Sequence, residues 1–365
     1  MQMQAAVFRK VLEPLTIEAV DIDKPLGREV LVRTVATGVC HSDLHVVDGI
    51  GRFPLDRPIV LGHEGAGIVE AVGPDVTTVR VGDHVVACLS GFCGSCPQCL
   101  SGHPNLCTGG IVTRPDTAAA RLSQNGTPFR QFIGISSYAE KMLLHENSIV
   151  RIDPEIPLDR AALVGCGVLT GVGAALRSAG LEAGQTVAVF GCGGVGLSIV
   201  QGARIGGARQ IVAVDVFDSK LEMARRLGAT HIVNSARDEA VEAVRALTSG
   251  AGVDHAFEAV GSAALCRQAI ESLAIRGTAT IVGVLPPGAM IEFPWLAIRP
   301  ECRVQTSRMG SNRFRIDIPR YLELYRQGRL LLDEMVSRRG HLDDLNEAFR
   351  AMKAGEVART VLTFE

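Results

Sequence analysis

Four thiols fall within fifteen residues in Phe92-Cys93-Gly-Ser-Cys96-Pro-Gln-Cys99, followed after seven residues by Cys107. This C-x-x-C-x-x-C spacing lets one loop wrap a tetrahedral Zn²⁺. Four thiolates close the coordination shell, so such a site is structural and leaves no position for a substrate. Buried unpaired thiols or a redox pair are alternative readings of the same cysteines. An iron–sulfur cluster is compatible with the spacing, although the fourth cysteine then usually has a different context. Between Ala87 and Gly110 there is no Lys or Arg, which argues against a zinc ribbon resting on nucleic acid.

A second set of chemically capable residues is dispersed. Gly38-Val-Cys40-His41-Ser42-Asp43-Leu-His45 carries a thiol, two imidazoles and a hydroxyl; Leu61-Gly-His63-Glu64-Gly-Ala-Gly67 carries an imidazole and a carboxylate; Gly165-Cys166-Gly167 carries a glycine-flanked thiol. Spacing alone cannot bring these together, and singly each reads as a core Cys or a satisfied His. A catalytic zinc held by two thiolates and one imidazole, with its fourth position open, uses scattered residues of this kind. A third signal, Gly191-Cys-Gly-Gly-Val-Gly196, matches G-x-G-x-x-G. Gly191 permits a tight turn, Gly193 a close approach of backbone to a pyrophosphate, and Gly196 close helix–strand packing. Asp215, about 20 residues after the turn, suits the ribose hydroxyls of NAD and repels the 2′-phosphate of NADP.

These residues must be positioned by two kinds of domain. Residues 1–165 carry short β-rich runs between Gly, Pro and Asp, such as Glu29–Val35 and Val81–Ala87, the pattern of a β-barrel-like domain. From 168 to 308, apolar strands (Thr186–Phe190, Gln210–Asp215, Asp254–Glu258, Thr278–Val282) alternate with helical stretches, implying βαβ units on a parallel sheet. After Arg308 the chain turns helical and ends in the apolar strand Arg359–Phe364. The 365 residues fit two domains. With 37 basic and 39 acidic residues the net charge is −2, which argues against nucleic acid or an anionic membrane as partner. A hydrophobic content of 47% excludes disorder. Met1–Lys10 lacks the layout of a signal peptide, and no apolar run reaches about 18 residues. The expectation is a cytoplasmic protein whose ten cysteines serve metal or catalysis rather than disulfides.

Taken in order, Gly38–Asp43, Gly62–Gly67, the four-cysteine lobe (88–110), Gly165-Cys-Gly-Val-Leu-Thr-Gly171 and the Gly191–Gly196 turn resemble the zinc-dependent medium-chain alcohol dehydrogenases over essentially the whole chain. The resemblance implies an α/β protein: a GroES-like β-rich catalytic domain (1–167 and 309–365) plus a Rossmann doubly wound domain (168–308). It implies two zinc ions per chain, a structural one on Cys93, Cys96, Cys99 and Cys107 and a catalytic one on Cys40, His63 and Cys166. Asp43 is then the carboxylate that orients His63, and Glu64 the acid behind the metal that approaches it transiently. Ser42 takes the proton of the substrate hydroxyl and His45 passes it to solvent, a task suited to the imidazole's ordinary pKa of about 6.5. His41 and Arg359 contact the pyrophosphate of NAD, Thr170 and Val195 pack behind the nicotinamide, and Lys220 flanks the adenosine ribose. The implied reaction moves a hydride between an alcohol and NAD, giving an aldehyde or ketone.

Leu89, Val112 and Val284 fall near the family's pocket positions. Their apolar character points to primary medium-chain, branched or aryl alcohols. The long insertion from Cys107 to Phe132 resembles that of dimeric members, so a homodimer is expected. The family's glutathione-dependent formaldehyde dehydrogenases are an alternative. They carry an arginine four residues after the last lobe cysteine, where this chain has Ile111, with Arg114 three residues further on, and usually a tyrosine at the position of His45. A catalytically silent nucleotide-binding module is the alternative from another class.

Overall fold

The computed structural model describes residues 1–50, 53–109, 114 and 118–364. They form two compact units, Met1–Cys166 with Arg313–Arg326 and Met335–Glu365, and Gly167–Asn312 with Gln327–Glu334. The expected boundary at 308/309 therefore moves. Residues 309–312 and 327–334 cluster with the second unit, because Gly310 lies so close to Gly173 that neither has room for a Cβ, and Gln201 exchanges hydrogen bonds with the backbone of Leu331.

The first unit is built on the strand Glu29–Gly38, whose Val-rich sequence buries nearly every residue. It pairs antiparallel with Glu64–Val72, Lys141–His145 and the C-terminal strand Arg359–Thr363 within a seven-stranded sheet. A six-stranded sheet begun by Gln2–Phe8 and Thr16–Ile22 adds a second wall. Met3, Val20, Ile22, Leu31 and Leu143 fill the space within it, withdrawing apolar surface from water at about 25 cal/mol per Å². Register places Gly38 opposite both Glu64 and Val361. The ends of three strands therefore meet at one point, and Cys40, His63, Glu64 and Arg359 all lie within two residues of it. A Cβ on Gly38 would collide with the Glu64 carboxylate and come within 3.1 Å of Arg359, which is why glycine stands there.

The second unit is a six-stranded parallel sheet ordered His231–Asn234, Gln210–Asp215, Thr186–Phe190, Val253–Glu258, Leu273–Ile281, Arg303–Thr306. Thr186–Phe190 is buried at all five residues, as a strand covered on both faces must be. Strand order reverses between it and Val253–Glu258, the switch point at which doubly wound sheets bind nucleotides. The strands begun by Val253 and Leu273 start before the apolar runs that suggest them. In the first unit, the helix Phe314–Arg326 continues through Pro319.

Candidate active site

In the lobe, the sulfurs of Cys93, Cys96, Cys99 and Cys107 all lie within 4.8 Å of one another. The backbone amides of Ser95 and Cys96 donate to Cys93 Sγ at 3.4 and 3.3 Å, and that of Cys93 to Cys107 Sγ at 3.3 Å. Such donors favour thiolates. Backbone hydrogen bonds hold the Cys96 thiol near 5, while burial and the adjacent sulfurs push Cys99 to about 12. Four thiols this close cannot all ionise without a cation between them, and a divalent ion removes the conflict.

The second cluster unites residues 126 positions apart in sequence: Cys40, His63, Glu64 and Cys166, all buried, each with a donor atom within 4.8 Å of the others. Cys40 precedes the short helix His41–Val47, and His63 precedes the strand Glu64–Val72. Cys166 follows the helix Leu158–Val164, which packs on that sheet. Asp43 turns inward from the short helix and is fully buried. Its Oδ1 accepts the Gly62 N–H at 2.8 Å and its Oδ2 the Tyr138 hydroxyl at 3.0 Å. His63 Nδ1 lies 3.0 Å from the same Oδ2, a charge contact off the N–H axis, and Nε2 is buried with no hydrogen-bond partner among the described residues. Burial lowers the His63 pKa, but Asp43 and Cys40 overrule it and raise it to about 10. Cys40 is held well below the ordinary thiol range, chiefly by a hydrogen bond with Cys166. The same contact and burial push Cys166 well above it. An imidazole nitrogen left bare beside two thiols in conflict over one proton is the donor set of a two-thiolate, one-imidazole zinc.

Ser42 Oγ lies 3.8 Å from Cys40 Sγ. His41 and His45, one helical turn apart, have ring centroids 6.5 Å apart. Arg359 pairs with Glu64 and lends charge to Cys40, both partners being buried. The resemblance implies a phosphate contact for this arginine; in the structure its guanidinium lies against Glu64 beside Cys40. Leu89 packs on the barrel core, and Val112 lies outside the described residues.

In the second unit, Gly191 adopts φ +95°, and Gly196 packs so closely on its carbonyl that any Cβ would clash. Gly193 has open space around it and caps the helix Gly194–Ile205 without a side-chain acceptor, leaving that N-terminus for an anion. Asp215 Oδ2 accepts the Cys192 N–H at 2.7 Å, and Oδ1 those of Val216 and Phe217 at 2.8 and 3.1 Å, so the carboxylate also organises the turn. Val195 is half-buried in the first turn of that helix. The Thr170 hydroxyl donates to Met309 Sδ at 3.4 Å, Lys220 Nζ sits 4.8 Å above the Phe217 ring, and Val284 is 61% exposed. Sequence reasoning missed Tyr138, which lies in an irregular stretch with no periodicity.

Residues 27–154 match the alcohol dehydrogenase GroES-like domain family and residues 194–326 the zinc-binding dehydrogenase family. The chain is 38% identical over 369 residues to the S-(hydroxymethyl)glutathione dehydrogenase of Saccharomyces cerevisiae, covering 98% of this chain and 95% of that protein. Among solved structures, an alcohol dehydrogenase zinc-binding domain protein from Burkholderia ambifaria superimposes with a TM-score of 0.94 at 38% identity, covering 100% of this chain and 99% of the other. The benzyl alcohol dehydrogenase of Acinetobacter calcoaceticus superimposes with a TM-score of 0.92 at 34% identity over 100% of both chains. The two units are thus a GroES-like domain and a Rossmann-like domain, and the chain is an enzyme belonging to the zinc-dependent medium-chain alcohol dehydrogenase family.

Proposed function

We propose that this enzyme oxidises a primary medium-chain or aryl alcohol with NAD, using one catalytic and one structural zinc. The observation that carries the reading is the bare Nε2 of His63 within the buried Cys40–His63–Cys166 cluster. When bound, the zinc lowers the pKa of the substrate hydroxyl and the nicotinamide takes the hydride. The Asp43 carboxylate, 3.0 Å from His63 Nδ1, favours the proton on that nitrogen and leaves Nε2 free for the metal. Ser42 accepts the hydroxyl proton beside Cys40, and His45 carries it outward. Arg359 neutralises Glu64, so that the pocket behind the ligands holds no uncompensated carboxylate. Asp215 and the amides after Gly193 bind the ribose and pyrophosphate of NAD.

The second reading, oxidation of a glutathione adduct, draws support from the name of the Saccharomyces relative. Against it stands Arg114, the arginine nearest the position where that branch anchors a carboxylate. Its side chain is only 8% exposed and is committed to Glu29 and Asp23. The similarity to a benzyl alcohol dehydrogenase favours an uncharged alcohol instead. Met290, Trp295 and Leu296 on the second unit are 73%, 81% and 91% exposed, an apolar surface that a homodimer would cover. Among the described residues no single helix is long and apolar enough to cross a membrane, and a cytoplasmic site of action fits the reduced thiols that both clusters need.

An NADH-absorbance screen over ethanol, hexanol, benzyl alcohol, a secondary alcohol, and formaldehyde with glutathione tests the reading. Hexanol or benzyl alcohol is expected to give the highest kcat/KM. Turnover confined to formaldehyde with glutathione would overturn it.

A further inference from the structure

Tyr138 is fully buried, and its hydroxyl donates to Asp43 Oδ2 at 3.0 Å. That oxygen is also the one 3.0 Å from His63 Nδ1. The residue is fixed in place from several sides. Its backbone N–H donates to Leu61 O at 3.1 Å, its carbonyl accepts from Ala6 N–H at 2.8 Å, and its ring meets Phe349 edge-on at 6.2 Å. Gly62 completes the arrangement. At φ +91° it aims its N–H at Asp43 Oδ1, and any Cβ there would strike the Tyr138 backbone.

Resting on the zinc reading above, we propose that Tyr138 is a positioning residue for the catalytic metal, sharing Asp43 Oδ2 with His63 and so limiting how strongly the imidazole donates to the zinc. A carboxylate that already accepts a phenol and an amide is a weaker acceptor for a third donor. The His63 N–H is polarised less, Nε2 carries less negative charge, and the metal keeps more of its Lewis acidity. Deleting the hydroxyl frees Oδ2 for His63. The imidazole becomes a stronger ligand, the metal is held longer, and it activates the substrate hydroxyl less.

The test is Tyr138→Phe in the full-length enzyme, which keeps the buried ring. Cobalt(II) replaces zinc, and visible absorption and the rate of cobalt loss to dipicolinate are recorded beside kcat and the KM for NAD. The expected result is shifted ligand-field bands, slower metal loss and a kcat lower by about tenfold, with KM for NAD unchanged. Bands and loss rate identical to wild type, with only a lower melting temperature, would overturn the proposal and leave Tyr138 a packing residue. Wild-type enzyme that takes up cobalt in the four-cysteine lobe alone would instead refute the zinc reading beneath it. Should Tyr138→Phe fail to fold, 3-fluorotyrosine at position 138 decides. As a stronger donor it is expected to move the bands the opposite way and speed metal loss, and unchanged values would again overturn the proposal.

Discussion

Replacing Arg114 with methionine separates a structural arginine from an anion-binding one. Its Nε donates to both carboxylate oxygens of Glu29 (2.9 and 3.1 Å) and Nη2 adds a bond to Glu29 at 2.6 Å. Nη1 reaches Asp23 at 2.5 Å and the Ala119 carbonyl at 2.9 Å, while Nη2 also reaches the Lys24 carbonyl at 2.7 Å. Glu29 is 4% exposed, so its charge cannot turn to water. Removing one partner from a buried ion pair costs about 3–5 kcal/mol. Glu29 keeps Arg121 at 2.8 Å and the Leu26 N–H at 2.9 Å, which places the loss at the lower end, about 3 kcal/mol. For a unit of this size, with about 2–4 °C per kcal/mol, the melting temperature should fall by roughly 6–12 °C. Calorimetry gives the shift, and steady-state kinetics with benzyl alcohol and with formaldehyde plus glutathione give the function. Turnover per folded molecule should keep the same ratio between the two substrates. An unchanged melting temperature with selective loss of the glutathione-dependent reaction would refute the structural assignment and revive the glutathione reading.

Two further outcomes follow from the same geometry. Asp215→Asn removes the charge and keeps one oxygen for the Val216 and Phe217 amides, giving up the acceptor of the Cys192 N–H. Relief of repulsion toward a 2′-phosphate, about 1.4 kcal/mol after screening, should raise the NADP/NAD ratio of kcat/KM about tenfold, and a wild-type preference for NADP would contradict the role given to Asp215. Burial raises the Glu146 pKa, but hydrogen bonds from Thr78, Arg28 and Thr77 outweigh it and hold this carboxylate down at about 2. Its folded pKa lies below the ordinary value of about 4.3, so it stabilises above that pH and loses the contribution as pH falls toward 2. With Arg28 half exposed, the contribution is about 2 kcal/mol. Chemical denaturation of wild type and Glu146→Gln should differ by that amount above pH 5 and converge between pH 4 and pH 2, and a gap independent of pH would remove Glu146 as the cause.

The parts of this site that could be read from sequence are those whose chemistry is local. Cys93, Cys96, Cys99 and Cys107 declare themselves because one loop must supply all four donors, and the Gly191–Gly196 turn because a buried apolar strand and a helix bracket it. Cys40, His63 and Cys166 carry no local mark. Their meeting depends on the pairing of Glu29–Gly38 with Glu64–Val72 and on the helix ending before Gly165, a long-range register that only the family resemblance supplies. Arg359 carries a contact that the sequence alone does not reveal. Its strand pairs beside Gly38, which brings the guanidinium to Glu64 and Cys40, in addition to the phosphate contact that the resemblance implies. Lys220 stacks on Phe217, an exposed aromatic that the strand–helix pattern around Asp215 leaves unremarked. Tyr138 sits just after Ile133 and Ser136, both at positive φ, in a turn without the period of a strand or helix. Its role is set by what folds onto it from residues 43 and 62.

Metal content per chain, measured by plasma mass spectrometry on wild type and Cys166→Ala side by side, tests the central claim most directly. The account predicts two zinc ions in the wild type and one in the variant, which should still bind NADH but no longer oxidise alcohols. A Cys166→Ala enzyme that retains both ions and turns over at the wild-type rate would show that Cys40, His63 and Cys166 do not hold the catalytic metal.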